Sequence, residues 1–167
     1  KGCFTFNMNY ANIKKFDIAD GTGVRVSLFV SGCRHHCKGC FQPETWDFNG
    51  GKEFTQAVLD EIIEALRAND VERSFCIMGG EPLCEENIFL VYLVLQYVKQ
   101  HLPDTKIYVW TGYYYDELLK RSEPKLHLIL GMADYLIDGP YVESMRDLSL
   151  QMRGSSNQSI IELKGEE

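Results

Sequence analysis

The chain has 167 residues, of which 45% are hydrophobic and 25% charged, and its formal net charge at pH 7 is −7. This length and composition predict one globular domain with a hydrophobic core that needs no disulfide bonds. The acidic balance argues against a nucleic-acid-binding protein, because contacts with phosphates require clustered Lys and Arg.

The chain shows no sign of a membrane segment or of export. Its longest unbroken apolar run is Ile88–Leu95, whereas a membrane-spanning helix needs about 20 residues. The first residues lack the charged and apolar regions of an export signal. We therefore expect a cytoplasmic protein without a membrane partner. In that reducing compartment, six cysteines indicate metal binding or catalysis rather than a disulfide framework.

Short β-branched runs alternate with helical stretches, which predicts an α/β domain with a mainly parallel sheet. Val24–Val30 is the first predicted core strand, and a cysteine-rich loop follows it directly. Phe54–Ala68 is predicted as an amphipathic helix that Thr55 caps. Ser74–Met78 is the next predicted strand, and it runs into the turn Gly79-Gly80-Glu81-Pro82.

The second half of the chain continues this alternation. The predicted helices are Glu85–His101 and a helix that begins with Tyr115–Lys120, and the predicted strands are Lys106–Trp110, Tyr135–Ile137 and a final edge strand, Ser159–Leu163. These elements make roughly four or five β–α units. A complete eightfold barrel takes about 250 residues, so we expect an incomplete β/α barrel with one open side.

Three distinctive segments lie directly after predicted strands. They are the cysteine loop, the Gly79–Pro82 turn and the Thr111–Gly112 turn. Ligands of parallel α/β sheets bind at the carboxyl ends of the strands. The three segments are therefore expected to form one active site.

The cysteine loop has the spacing Cys33-x-x-x-Cys37-x-x-Cys40. A 4Fe–4S cubane is held by cysteine sulfurs at its corners, so three cysteines leave one iron open for another ligand. Zinc is the alternative, in a closed Cys₃His site with His35 or His36 as the fourth ligand. The spacing favours iron–sulfur, because structural zinc sites usually show paired Cys-x-x-Cys segments. We interpret Cys76 and Cys84 as non-ligands, since buried cysteine is commonly a small core residue.

Gly79 and Gly80 lie between a predicted strand and a predicted helix. Glycine at such a place lets the backbone approach a ligand closely and adopt a positive φ. Turns of this kind are also common for packing reasons alone. Beside a cysteine loop with an open iron, the turn indicates ligand binding.

These motifs resemble those of a known family. The cysteine spacing resembles that of radical S-adenosylmethionine (SAM) enzymes, and Gly79-Gly80-Glu81-Pro82 resembles their motif for the SAM amino group. Other stretches resemble one subgroup, the anaerobic ribonucleoside-triphosphate reductase activating proteins, over about Met8 to Leu163. Those stretches are Asp20-Gly21-Thr22-Gly23-Val24-Arg25, Thr45-Trp46, Val109-Trp110-Thr111-Gly112-Tyr113, Asp138-Gly139-Pro140 and Arg153-Gly154-Ser155-Ser156-Asn157-Gln158.

The resemblance implies an activating enzyme. A reduced 4Fe–4S cluster would bind SAM at its open iron and cleave the sulfonium C–S bond, giving methionine and a 5′-deoxyadenosyl radical. That radical would take a hydrogen atom from one glycine Cα of the large anaerobic ribonucleoside-triphosphate reductase. The family's electron donor would be flavodoxin or a ferredoxin, and no catalytic residue is implied beyond the cluster and SAM.

The resemblance also assigns roles to residues of this chain. Gly79, Gly80 and Glu81 would bind the SAM amino group, while Thr111 and Asp138 would contact the ribose or carboxylate or hold a cation. Many members carry an aromatic residue just before the third cysteine, where this chain and the activating subgroup have Gly39. Phe41 is then the candidate for adenine packing. Met8 resembles the family's usual start, so Lys1–Asn7, with Cys3, would be an extension.

Several residues keep two readings. Two interpretations remain for Arg25, Arg153, Asn157 and Gln158. Their side chains could form salt bridges and cap loops, or they could support the SAM site or dock the reductase. The aromatic residues Trp46, Trp110 and Tyr113–Tyr115 are predicted to lie in the core or at the rim, and Tyr113–Tyr115 are also candidates to contact the partner.

Three other functions stay open at this point. The first is an activase of another glycyl-radical enzyme such as pyruvate formate-lyase, against which the short length and the Arg153–Gln158 run argue. The second is a radical SAM enzyme that acts on a small heterocycle without a protein partner. The third is a zinc-stabilised binding module, which would be colourless and free of acid-labile sulfide.

Overall fold

A computed structural model describes residues 5–19 and 23–164 of the chain. In chain order the elements are β1 (Thr5–Asp17), β2 (Val24–Val30), β3 (Lys52–Thr55), α1 (Gln56–Arg67), β4 (Arg73–Gly79), α2 (Glu85–His101), β5 (Ile107–Trp110), α3 (Tyr115–Lys120), α4 (Pro124–Met132), β6 (Tyr135–Asp138) and β7 (Ser159–Glu162). No helix within these ranges is long and apolar enough to cross a bilayer.

All seven strands form one sheet in the order β3-β1-β2-β4-β5-β6-β7. The central strands β2, β4, β5 and β6 are parallel, whereas β1, β3 and β7 are antiparallel additions at the two sides. Because the parallel strands follow one another in chain order and such crossovers are right-handed, the connecting helices lie on one side of the sheet. The described strands leave two edges, β3 and β7, so this sheet is open. An incomplete barrel requires parallel strands that follow one another in chain order, as these do, and it stays a proposal.

The two faces of the sheet differ in what covers them. Alternate residues of a strand point to opposite faces, and one set packs with the helices in the main hydrophobic core. The central strands contribute Val26, Leu28, Val30, Phe75, Ile77, Ile107, Val109 and Leu136 to that core. The other set forms what we call the second face. On it, Ser27 and Phe29 of β2 pair with Cys76 and Met78 of β4, Cys76 pairs with Tyr108 of β5, and Trp110 follows two residues further along β5. The carboxyl end of this second face leads into the site.

The structure extends the predicted elements at the amino-terminal side. Phe6, on β1, lies against Phe54 with ring centroids 6.0 Å apart. Thr5–Asn7 therefore belong to the sheet, whereas Cys3 lies outside the described residues. The predicted start of the first helix is wrong: Phe54 is in strand β3, which pairs with β1. Thr55 does occupy the N-cap position of α1, but its hydroxyl makes no capping hydrogen bond.

Phe54 gives a test of this amino-terminal packing. It is completely buried between Phe6 and Tyr10, whose ring lies 5.7 Å away. We expect Phe54→Ala to lower the free energy of unfolding by about 3–5 kcal/mol, because a large buried ring leaves a cavity. Phe89→Ala is the control, since Phe89 is 46% exposed and its loss should cost less than about 1 kcal/mol. Urea denaturation measures both, and equal losses would contradict the packing of β1 and β3 described here.

Candidate functional site

A cavity opens at the carboxyl ends of the parallel strands. Its wall includes Cys33, Cys37 and Cys40, the turn Gly79–Glu81 and the turn Thr111–Gly112. The structure therefore brings together the three segments that follow β2, β4 and β5. Met78 and Trp110 of the second face also form part of the lining.

The cysteine loop is held by backbone hydrogen bonds. The N–H of Gly32 donates to the carbonyl of Thr45 at 2.7 Å, and the N–H of Cys33 donates to the carbonyl of Trp46 at 3.1 Å. All three cysteines are half-buried, and burial raises the pKa of the Cys33 and Cys37 thiols. Cysteine binds metal as the thiolate, so iron uptake here would release protons. Three thiols on one cavity wall are a donor set that fits a cubane cluster.

The zinc alternative finds little support in this geometry. Within residues 5–19 and 23–164, no group of three His, Cys, Asp or Glu side chains is arranged to hold a single metal ion. Both candidate fourth ligands have other contacts. His35 Nε2 is 2.8 Å from Glu81 Oε2, and the His36 ring stacks on Trp46 at a centroid distance of 4.4 Å. A cubane differs because its thiolates bind separate irons at its corners.

The Glu81 side chain accepts hydrogen bonds on both of its oxygens. It is 1% exposed, and its Oε1 accepts hydrogen bonds from the Thr111 hydroxyl at 2.7 Å and from the Leu83 N–H at 2.9 Å. Its Oε2 accepts from the Gly112 N–H at 2.7 Å and from His35. The hydrogen bond to Glu81 raises the pKa of His35. This carboxylate thus connects the cysteine loop, the turn after β4 and the turn after β5.

The backbone N–H and carbonyl of Glu81 are also hydrogen-bonded within the protein. Its N–H donates to the Gly32 carbonyl at 2.8 Å, and its own carbonyl accepts from the Asn87 side chain at 3.0 Å. A carboxylate offers about four acceptor positions, and protein donors take them here. Glu81 therefore positions the turn within the protein.

Gly79 and Gly80 lie where the turn after β4 comes very close to the backbone at the end of β2 and the start of the cysteine loop. A Cβ on Gly80 would lie 2.3 Å from the Gly32 carbonyl oxygen, and a Cβ on Gly79 would lie 2.8 Å from Phe29 Cα. Gly79 also has a φ of +101°, which favours glycine. The packing explanation thus accounts for both glycines, because the turn lies directly against the start of the cysteine loop.

Thr111 and Asp138 are placed differently from each other. Thr111 lies in the cavity wall with its hydroxyl bonded to Glu81. The side chain of Asp138 is absent from the cavity lining in the described part of the chain. Its two oxygens accept from the backbone N–H of Tyr115 at 2.9 Å and of Ser159 at 3.1 Å. Asp138 therefore holds the start of α3 and the start of β7 in place.

Aromatic side chains form part of the cavity lining. Phe41 is 54% exposed and packs on Tyr141 at a centroid distance of 4.9 Å. Trp46 and Trp110 also line the cavity, and the Trp110 indole N–H donates to the Met152 carbonyl. The Arg146 guanidinium lies over the Phe41 ring, 5.5 Å from its centroid, so this exposed ring is already in contact with two side chains.

The run from Arg153 to Gln158 forms a hydrogen-bonded loop. Arg153 donates to the Gln158 carbonyl at 3.1 Å, and the Gln158 side chain bonds to Gly154 and Gly139. Asn157 donates to the Pro140 carbonyl at 2.8 Å. Loop capping is therefore the observed role of these three side chains.

Arg25 is buried, and its Nε and Nη2 have no hydrogen-bond partner in the described residues.

Sequence reasoning missed two parts of the site. The first is the contact of His35 with Glu81, which joins residues 46 positions apart. The second is the segment after β6, of which Tyr141, Leu148, Leu150 and Met152 line the cavity. Neither has a local sequence signal, because both depend on how distant segments meet.

Comparison with known proteins gives a consistent picture. Residues 19–161 match the family of the 4Fe–4S single cluster domain. The chain is similar to three proteins named anaerobic ribonucleoside-triphosphate reductase-activating protein. It is 39% identical over 158 residues to that of Escherichia coli (strain K12), covering 94% of this chain and 100% of the relative. It is 40% identical over 158 residues to that of Haemophilus influenzae, covering 94% of this chain and 99% of the relative. It is 34% identical over 153 residues to that of Enterobacteria phage T4, covering 92% of this chain and 93% of the relative.

The contribution of Glu81 can be tested through Thr111. We expect Thr111→Val to lower the free energy of unfolding by about 1–3 kcal/mol, because it removes a donor from a buried carboxylate without changing the side-chain shape. Thr105→Val is the matched control, since among the described residues only the backbone of Thr105 makes hydrogen bonds. Chemical denaturation of the two metal-free variants provides the comparison. A Thr111 variant as stable as the control would show that the Glu81 network contributes little.

Proposed function

Since the chain belongs to the 4Fe–4S single cluster domain family and to the anaerobic ribonucleoside-triphosphate reductase-activating proteins, we propose that it activates such a reductase. The similarity extends over more than nine-tenths of this chain and of each relative. The structural observation that carries the proposal is the shared cavity of the three cysteines and the Gly79–Glu81 turn. Activation of the reductase is therefore assigned to this cavity.

Cys33, Cys37 and Cys40 would hold one 4Fe–4S cluster, with one iron left open for SAM. When bound, the cluster and SAM supply reductive cleavage of the sulfonium C–S bond, which yields methionine and a 5′-deoxyadenosyl radical. The protein contributes the frame around them. Its backbone bonds fix the cysteine loop, and Glu81 fixes the distance between that loop and the two neighbouring turns.

Individual residues would orient SAM beside the open iron. The backbone of Gly79 and Gly80 would receive its amino group. Phe41 would pack on the adenine and Thr111 would contact the ribose or the carboxylate, and both side chains line the cavity. Asp138 has no part in this proposal, since both its oxygens are bonded to backbone N–H groups.

Access to the cavity suits a macromolecular substrate. The cysteines are half-buried rather than enclosed, and Phe41 beside them is more than half exposed. A glycine on a loop of the reductase could therefore approach the site, and its Cα would lose one hydrogen atom to the radical. The electron would come from flavodoxin or a ferredoxin in the cytoplasm.

Production of 5′-deoxyadenosine tests the cofactor chemistry. After anaerobic reconstitution with iron and sulfide, the reduced protein should convert SAM to 5′-deoxyadenosine, measured by chromatography. Cys37→Ala removes a proposed ligand and should abolish this product. Cys76→Ala is the control, because Cys76 is buried in β4 and should not bind the cluster. Loss of the product in both variants, or in neither, would contradict the ligand assignment.

Transfer of the radical to the reductase is a separate test. A reductase incubated anaerobically with the reconstituted protein, SAM and a reductant should show a glycyl-radical signal by electron paramagnetic resonance. Exchange of the target glycine for alanine should remove that signal while 5′-deoxyadenosine still forms. A protein that cleaves SAM but gives no signal with any such reductase would point to a different partner.

A further inference from the structure

We infer that residues 141–156, which we call the clamp, hold the second half of the cysteine loop in place and that Glu143 positions this loop so that the cluster is retained. The inference rests on the proposed function, because it concerns the cluster that the three cysteines would bind. It gives the segment between β6 and β7 a role besides lining the cavity.

Side chains of the clamp contact the cysteine loop on both sides of the third cysteine. Before that cysteine, Lys38 forms a salt bridge of 3.2 Å with Glu143. After it, the Phe41 ring lies 4.9 Å from the Tyr141 ring, and the Arg146 guanidinium lies 5.5 Å from the centroid of the same phenylalanine ring. One segment therefore holds the loop from two sides.

Two glycines let the clamp and the cysteine loop approach each other closely. A Cβ on Gly39 would lie 2.8 Å from Glu143 Oε1, and a Cβ on Gly154 would lie 2.6 Å from Phe41 Cε2. Gly39 is the position at which many radical SAM enzymes carry an aromatic residue. In this chain a side chain at that position would displace Glu143, so the glycine is a condition for the contact with the clamp.

Hydrogen bonds join the two halves of the clamp to each other. The N–H of Asp147 donates to the Gly154 carbonyl at 3.1 Å, and the N–H of Ser156 donates to the Met145 carbonyl at 2.9 Å. Glu143 thus belongs to a folded unit rather than to a free strand. A contact at Glu143 therefore affects the position of the whole clamp.

The clamp also forms part of the cavity that contains the cysteines. Leu148, Leu150 and Met152, which are every second residue, line this cavity. Burial raises the pKa of the Cys37 thiol, and a hydrogen bond from the Tyr141 backbone N–H lowers it, so the clamp reaches one of the proposed ligands. A fixed loop and an apolar wall would together slow the access of water and chelators to the cluster.

Retention of the cluster tests the role of Glu143. Glu143→Lys places a second ammonium group beside Lys38, whereas Glu64→Lys makes the same change on the exposed face of α1. We expect the reconstituted Glu143→Lys protein to lose iron to EDTA, without oxygen, about threefold faster than the wild type, a modest effect because exposed ion pairs are weak. Glu64→Lys should match the wild type, and the swapped pair Lys38→Glu/Glu143→Lys should restore the wild-type rate. Equal rates in the two single variants, or no recovery in the swapped pair, would overturn the inference.

Hydrogen exchange tests the same contact from the side of the clamp, since coupling between two sites acts in both directions. Uptake of the cluster should slow exchange at the amides of Asp147 and Ser156 about threefold more than at Thr105, whose N–H is bonded to Leu102 in the turn after α2. Glu143→Lys should reduce this extra protection. Equal protection of the clamp and of Thr105 would show an independent loop and overturn the inference. A wild-type protein that takes up no cluster would instead reject the ligand assignment of the proposed function.

Discussion

The hydrogen bonds to the Glu81 carboxylate join three segments that are far apart in the sequence, and the site depends on them. A buried carboxylate without partners would cost several kcal/mol. Here, donors from His35, Thr111, Gly112 and Leu83 surround it. The cysteine loop, the turn after β4 and the turn after β5 must therefore adopt their relative positions together. The same hydrogen bonds account for the nearly complete burial of Glu81.

The parallel sheet makes this arrangement possible. Strands β2, β4 and β5 are neighbours and run in one direction, so the loops at their carboxyl ends meet at one edge. Gly79 and Gly80 then let the second loop approach the backbone of Phe29 and Gly32 closely. The cysteines lie half-buried beside these turns. The wall that would hold the cluster and the wall that would hold SAM are therefore one connected structure.

The sequence predicts those parts of the structure that depend on residues near one another in the chain better than those that depend on distant residues. The bounds of β2 and α2 follow from local apolar patterns, and the ligand candidates follow from the cysteine spacing. Strand β1 is harder to predict from the sequence. Phe6, Met8 and Tyr10 alternate as in a strand, but a register shift after Tyr10 interrupts the pattern. Phe54 fits the helical stripe of α1, yet its contact with β1 places it in β3.

The rest of the site has no local signal. The partners of Glu81 and Asp138 are set by the meeting of distant loops, so the sequence does not show the hydrogen bonds of these side chains. The wall formed by Tyr141, Leu148 and Met152 belongs to a segment with little regular structure. Such a segment has no periodicity to read, and only the folded chain shows which of its side chains face the cavity.

The central claim is that SAM binds directly to an open iron of a cluster held by three cysteines. Electron–nuclear double resonance on the reduced, reconstituted protein tests it most directly, with SAM that carries ¹⁵N in its amino group. The account predicts a ¹⁵N hyperfine coupling to the cluster that unlabelled SAM does not give. A reduced cluster that forms fully but shows no such coupling at saturating SAM would contradict the account.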